Sequence, residues 1–156
     1  MTVAPRHPPR AVGNLEDAAR VVRDAGGRLT APRRAVLEAL LTAEGPVTAE
    51  QIADGLGGRL PTTEAVSVYR NLDWLEAIGV VRHVHLGHGA GLYQLAGGGE
   101  HAYLVCERCA GVTRLDAEQL HRVHAEIEQA SGFHAHFDHF PIHGLCAACA
   151  AVSIGG

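Results

Sequence analysis

Four cysteines stand in two pairs of identical spacing, Cys106-Glu107-Arg108-Cys109 and Cys146-Ala147-Ala148-Cys149, and the chain has no other cysteine. A Cys-x-x-Cys turn lets two sulfurs reach one ion, and two such turns complete the tetrahedral four-ligand shell that zinc prefers. Four thiolates leave no open position, so this spacing predicts a structural zinc and not a catalytic one. A redox pair is the rival use of the motif, and it needs no matching second pair. The 36 residues between the pairs would make the metal a staple across the second half of the chain.

The remaining chemistry is unevenly spread. Ten of the eleven histidines lie between His83 and His143. Residues 1–82 carry ten arginines and ten acidic residues, whereas 83–156 carry three arginines and seven acidic residues; there is no lysine. The first half is thus neutral and arginine-bearing, the second acidic and rich in imidazole, which predicts two functional halves. A net charge of −4 argues, taken alone, against a nucleic-acid binder. At 47% apolar residues the 156-residue chain can bury a core, but two halves this small would each want a metal or a partner chain. No apolar run is long enough to span a bilayer, and the N-terminus lacks the apolar segment of a secretion signal. The expected location is the reducing cytoplasm, where cysteines favour metal over disulfides.

The elements that must position these residues can be read from caps and periodicity. Residues 1–14 read as a disordered, proline-rich arm. Leu15, Ala18, Ala19 and Val22 give a first helix that stops at Gly26-Gly27. Thr30 caps a second, with Pro32 in its first turn and Val36, Leu37, Leu40 and Leu41 inward. Thr48 and Gln51 form a capping-box pattern for a short third helix with Ile52 and Leu56 inward. Thr62 or Thr63 caps a fourth, buried along Val68, Leu72, Leu75 and Ile78 and ending at Gly79. Residues 80–86 and 91–95 then read as paired strands about a turn.

Helices followed by a hairpin predict a winged helix-turn-helix over 15–96. Residues 97–99 read as a hinge, 100–150 as a small α/β dimerisation domain, and 151–156 as a tail. Within the second domain, strands are expected at 102–106 and 112–115, a helix at 117–130 and a long strand at 133–144. The fold class is α+β. The DNA-reading helix would be 62–79, with Thr63, Ser67, Tyr69 and Arg70 on its polar side and Arg33 and Arg34 available to phosphates. The plainer alternative is that these are merely solvated polar faces.

The segments RLTAPRRAVLEALL (28–41), VYRNLDWLEAIGVV (68–81), HLGHGAGLYQL, LVCERC and HGLCAAC are collinear. Over roughly 15–150 the chain resembles the ferric uptake regulator superfamily. The resemblance implies a homodimer with a winged-helix domain and an α/β dimerisation domain, and DNA contacts by Tyr69 and Arg70. Within the superfamily, residues 83–90 and His139-Phe140 resemble the nickel-responsive branch. That implies His83, His85 and His139 as ligands of a sensing metal, nickel or zinc, beside the structural zinc. Residues i and i+2 of a strand share a side, so His83 and His85 can converge on one ion. With His139 from the second half, such an ion would tie the wing to the dimerisation domain. Solvent-facing histidines on a strand are the alternative.

The resemblance also has gaps. The usual histidine run before the first cysteine pair survives only as Glu100 and His101. A family carboxylate stands as His121, a family histidine as Asp138, and another as Pro46. Glu100, His101, His121 and Asp138 are therefore at most a rebuilt second metal site. Arg82 and Ala96 replace ligands of the zinc-responsive branch, and the acid-rich site of the peroxide-sensing branch cannot be assembled. His88, His124, His134, His136 and His143 read as surface residues, though His136 could supplement His139.

The function so expected is a metal-dependent repressor of metal-uptake or homeostasis genes, binding a palindromic double-stranded operator as a homodimer. No membrane association or organic cofactor is expected. A metalloenzyme is disfavoured because no His-Glu-x-x-His or comparable motif is present. A constitutive DNA-binding protein with only structural zinc is the remaining alternative.

Overall fold

The computed structural model describes residues 8–86, 89–97, 101–135, 137 and 141–153. The chain divides into two compact units, residues 1–83 with 90–98, and residues 84–89 with 99–156. No helix among the described residues is long and apolar enough to cross a membrane.

The first unit is built on side-chain caps. Asn14 accepts from the Asp17 amide at 2.9 Å and opens α1 (Leu15–Asp24), which buries Ala18 and Val22. Thr30 caps α2 (Ala31–Thr42), whose stripe of Val36, Leu37, Ala39 and Leu40 is buried. A two-residue strand, β1 (Val47–Thr48), precedes α3 (Ala49–Ala53), where Thr48 and Gln51 form the reciprocal capping box expected of that pattern. The chain then turns through α4 (Gly55–Gly58), with Leu56 at φ 55° and Gly57 at φ 71°, so this turn is not a regular helix. Gly55 sits at φ +69°, where a Cβ would collide with the Leu60 carbonyl.

Helix α5 (Ala65–Ala77) buries Val68, Asn71, Leu72 and Leu75. Its N-cap is Glu64, with no side-chain cap, and neither Thr62 nor Thr63 fills that role. The Thr63 amide instead donates to the Ala53 carbonyl at 2.9 Å, fixing the connection between α3 and α5. β2 (Val81–Val84) and β3 (Leu92–Leu95) complete a three-stranded sheet of order β1-β3-β2, with Val47 opposite Tyr93. β1 was not expected; two residues are too few to show a period. The reading of 1–14 as a disordered arm also needs correction at its end. Val12 joins the core, and the Arg10 amide donates to the Gly79 carbonyl at 2.9 Å.

One polar device crosses this core. The Arg33 guanidinium lies 3.9 Å from the Trp74 ring centroid, donates from Nε to Asn71 Oδ1 at 3.0 Å, and from Nη1 to the Arg28 carbonyl at 2.7 Å. Asn71, itself buried, donates to the Ser67 carbonyl at 2.9 Å. Arg33 therefore staples α2 to α5.

In the second unit β4 (Ala102–Cys106) is central. It runs antiparallel to β5 (Val112–Leu115), with Ala102 opposite Leu115, and parallel to β6 (Ile142–Gly144), with Cys106 opposite Gly144. Between β5 and β6 runs α6 (Ala117–Ser131), opened by an Asp116–Gln119 capping box and closed by left-handed Gly132. A last helix, α7 (Ala147–Ser153), grows out of the second cysteine pair and was not anticipated. The strand expected over 133–144 is confined, among described residues, to Ile142–Gly144.

Replacing Arg33 by Ala leaves the buried Asn71 carbonyl without its donor and uncovers Trp74. We expect a loss of about 1–3 kcal/mol against less than about 0.5 kcal/mol for Arg34→Ala, whose exposed pair with Glu38 is weak. Trp74 is the sole tryptophan, so urea unfolding followed by its fluorescence reads this unit directly. Equal midpoints for the two variants would refute the staple.

Candidate metal centre and DNA-reading face

The first cysteine pair closes the end of β4. The Cys106 amide donates to the Gly111 carbonyl and the Ala110 amide to the Cys106 carbonyl, both at 2.9 Å, with Ala110 at φ 59° completing the tight turn. The second pair opens α7, where the Ala150 amide returns to the Cys146 carbonyl at 2.9 Å. Two bonds join the pairs: Glu107 N–H to the Gly144 carbonyl at 2.8 Å, and Arg108 Nη1 to the Cys149 carbonyl at 2.9 Å. Arg108 was not foreseen, since only the fold brings it to a residue 41 positions away.

All four sulfurs lie within 4.8 Å of one another, and Cys109 Sγ is 3.8 Å from Cys146 Sγ. Metal–sulfur bonds of about 2.3 Å in a tetrahedron place the sulfurs about 3.8 Å apart. The donor set and its spacing therefore fit zinc. The electrostatics agree. The Cys109 amide, then that of Cys146, lowers the Cys106 thiol to about 6, whereas hydrogen bonding to Cys146 is the main cause raising Cys149 to about 12. Such a cluster favours some thiolate charge but resists four uncompensated charges; a divalent cation removes the conflict.

The expected sensing residues are placed less simply. His83 belongs to the first unit, stacked on Tyr93 with ring centroids 4.5 Å apart and planes at 6°. A Cβ at Gly91 would collide with its Nε2, so the imidazole occupies the space that glycine leaves. Burial, aided by Asp73 and Glu76, raises the Tyr93 phenol to about 12; His83 thus packs on a neutral ring. Nε2 is buried against Gly91, so a metal at that atom would require the imidazole or the Gly91 backbone to move. His85 belongs to the second unit. His139 lies outside the described residues, as do Glu100, Asp138, His88 and His136. His101 is buried edge-on to Tyr103 at 5.4 Å, and His121 is exposed on α6. Among the described residues the cysteines are the one group of three or more potential ligands whose atoms converge.

On α5, Tyr69 and Arg70 are exposed and Ser67 is half-buried; Thr63, in the connection before the helix, is half-buried as well. The Tyr69 hydroxyl donates to Glu50 of α3. That bond holds the Glu50 carboxyl below its ordinary value and Tyr69 above its own. Glu50 was not singled out from sequence; nothing in a 19-residue separation marks the contact. Of the two arginines expected at phosphates, Arg33 is engaged inside the unit, and Arg34 is exposed beside Glu38 at 2.9 Å.

Comparison with known proteins agrees with this architecture. The sequence matches the ferric uptake regulator family over residues 24–142. It is 27% identical to the peroxide-responsive repressor PerR of Staphylococcus saprophyticus, over 86% of this chain and 90% of that protein. The fold superposes on the ferric uptake regulator of Pseudomonas aeruginosa, solved with manganese. The TM-score is 0.65 at 28% identity, covering 86% of this chain and 99% of that one. It also matches a zinc uptake regulator complexed with zinc and DNA, with a TM-score of 0.51 at 28% identity, covering 90% and 95%. By its sequence match across most of its length, the chain belongs to the ferric uptake regulator family.

Proposed function

We propose that the chain is a metal-responsive transcriptional repressor that binds a palindromic operator as a homodimer. The family match over 24–142 is the observation that carries this reading. Relatives that include a peroxide-responsive repressor and a regulator solved with zinc and DNA support it. In this reading the first unit is a winged helix-turn-helix. Helix α5 enters the major groove with Ser67, Tyr69 and Arg70, and Thr63 just ahead of it, while exposed Arg34 lies toward phosphates and Arg33, held by Asn71 and Trp74, orients the helix from behind. The second unit pairs two subunits. Its exposed Val112, Phe133, Leu145 and Val152 are apolar surface that a second copy would cover. Cys106, Cys109, Cys146 and Cys149 hold structural zinc.

The sensing metal is proposed at His83, His85 and His139, with nickel favoured by the resemblance of residues 83–90 to the nickel-responsive branch. Ligand recruitment then selects one arrangement of the paired reading helices. Moving such an equilibrium from 1:99 to 99:1 requires about 5.5 kcal/mol of preferential binding. Glu100, His101, His121 and Asp138 are a second, rebuilt site at most. The relative complexed with zinc favours zinc as the alternative effector.

Two experiments test these assignments. Exhaustive chelation under reducing conditions should unfold residues 100–150 and lower far-UV circular dichroism, while Trp74 fluorescence keeps its folded signature. Structural zinc sites contribute roughly 10–16 kcal/mol to folding, so an unchanged dichroism spectrum of metal-free protein would reject the structural role. Gel shifts with added nickel, zinc or manganese identify the effector; affinity indifferent to all three would favour a constitutive binder. The His83→Ala/His85→Ala double variant should lose metal-dependent DNA binding yet retain one zinc per subunit by elemental analysis. Retained responsiveness would move the sensing site elsewhere.

A further inference from the structure

We infer that Val66 reads sequence: its branched side chain meets the 5-methyl group of a thymine in the major groove. This rests on the DNA-binding function proposed above. Val66 is the second residue of α5 and 62% exposed. With Tyr69, 41% exposed, it is one of two exposed large apolar side chains in the first unit among the described residues. A valine this exposed on a helix contributes little burial, and its stiff side chain disfavours the helix slightly. The residue three positions on is a neighbour on the same helix face, so Val66 and Tyr69 form one apolar pair.

The polar end of that pair is already committed. The Tyr69 hydroxyl donates to Glu50, so what α5 offers outward here is the ring and the two valine methyls. Beside them, exposed Arg70 supplies the positive charge a groove attracts. In a helix-turn-helix the N-terminal residues of the reading helix reach the base edges. Of the four bases only thymine presents an apolar group in the major groove, the C5-methyl. Three helical residues advance about 4.5 Å and one base step about 3.4 Å. The thymine met by Val66 therefore lies within one or two base pairs of the base under Tyr69.

The test uses the full-length, zinc-loaded protein. Duplexes are selected from a random pool in the presence of nickel, zinc or manganese. Each thymine of the enriched half-site is then replaced singly by deoxyuridine, which lacks only the methyl. Wild type, Val66→Ile, Val66→Ala and Val66→Ser are titrated by fluorescence anisotropy, with folding checked by Trp74 fluorescence. At one thymine, loss of the methyl should weaken wild type and Val66→Ile about four-fold per half-site, the effect of burying one methyl group. The same replacement should change Val66→Ser and Val66→Ala less than two-fold. A half-site with no methyl-sensitive thymine, or one whose sensitive thymines stay equally sensitive in both truncated variants, overturns the assignment. A pool that yields no enriched duplex with any metal overturns the DNA-binding function beneath it.

Discussion

Four sulfurs gathered within 4.8 Å of one another are the constraint on which the second unit depends. Its buried apolar side chains among the described residues are few: Val84, Ala102, Tyr103, Val105, Cys106 and Leu120. The fifteen-residue α6 contributes only Leu120 to that set. Among the described residues, burial on this scale sets little against the conformational entropy of ordering the chain, on the order of 1–2 kcal/mol per residue. The cysteine pairs act where the shortage is felt. One terminates the central strand β4, the other begins α7, and the parallel β4–β6 pairing delivers them to one place. The Glu107–Gly144 and Arg108–Cys149 bonds hold the turns in register.

The first unit needs no such staple. Its cluster runs from Val12 to Tyr93 and includes fully buried Leu37, Leu72 and Leu75. Polar groups there are used for orientation. Arg33 sets α2 against α5 through Asn71 and Trp74, and Glu50 sets the Tyr69 ring against α3. Both devices act on α5, whose outward face carries the proposed function. Precision at that helix comes from neighbours that never need to touch a ligand.

What could be read in advance followed from local physics. The four-cysteine cluster was legible because Cys-x-x-Cys encodes its own geometry, α1 because Ala18 and Val22 recur at helical spacing, and α2 and α3 because Thr30 and Thr48 lie beside the amides they cap. Where the determinant was distant, reading failed. The start of α5 was misjudged because Thr63 is tied to Ala53 and does not cap the helix. His83 could be seen as one of a same-sided pair, but not as a ring stacked on Tyr93 across the hairpin. Arg33 looked like a phosphate ligand because Asn71, 38 residues away, is silent in a sequence. α7 escaped because its seven alanine-rich residues carry no amphipathic stripe.

The same contacts bear on why a chain of net charge −4 would answer to a metal at all. Residues 1–82 carry as many acidic residues as arginines, and of those arginines Arg20 pairs with Asp17 and Arg33 lies on Trp74. Phosphate attraction grows with each unpaired cation brought to the backbone, so one such unit alone should hold DNA weakly. Under the proposed function, useful affinity then requires two reading helices joined in one dimer, the second binding event being intramolecular. That gain is lost when geometry forbids simultaneous engagement. A cation that selects the competent arrangement consequently controls most of the binding energy, whereas a strongly basic surface would bind DNA in any arrangement and leave the metal little to decide.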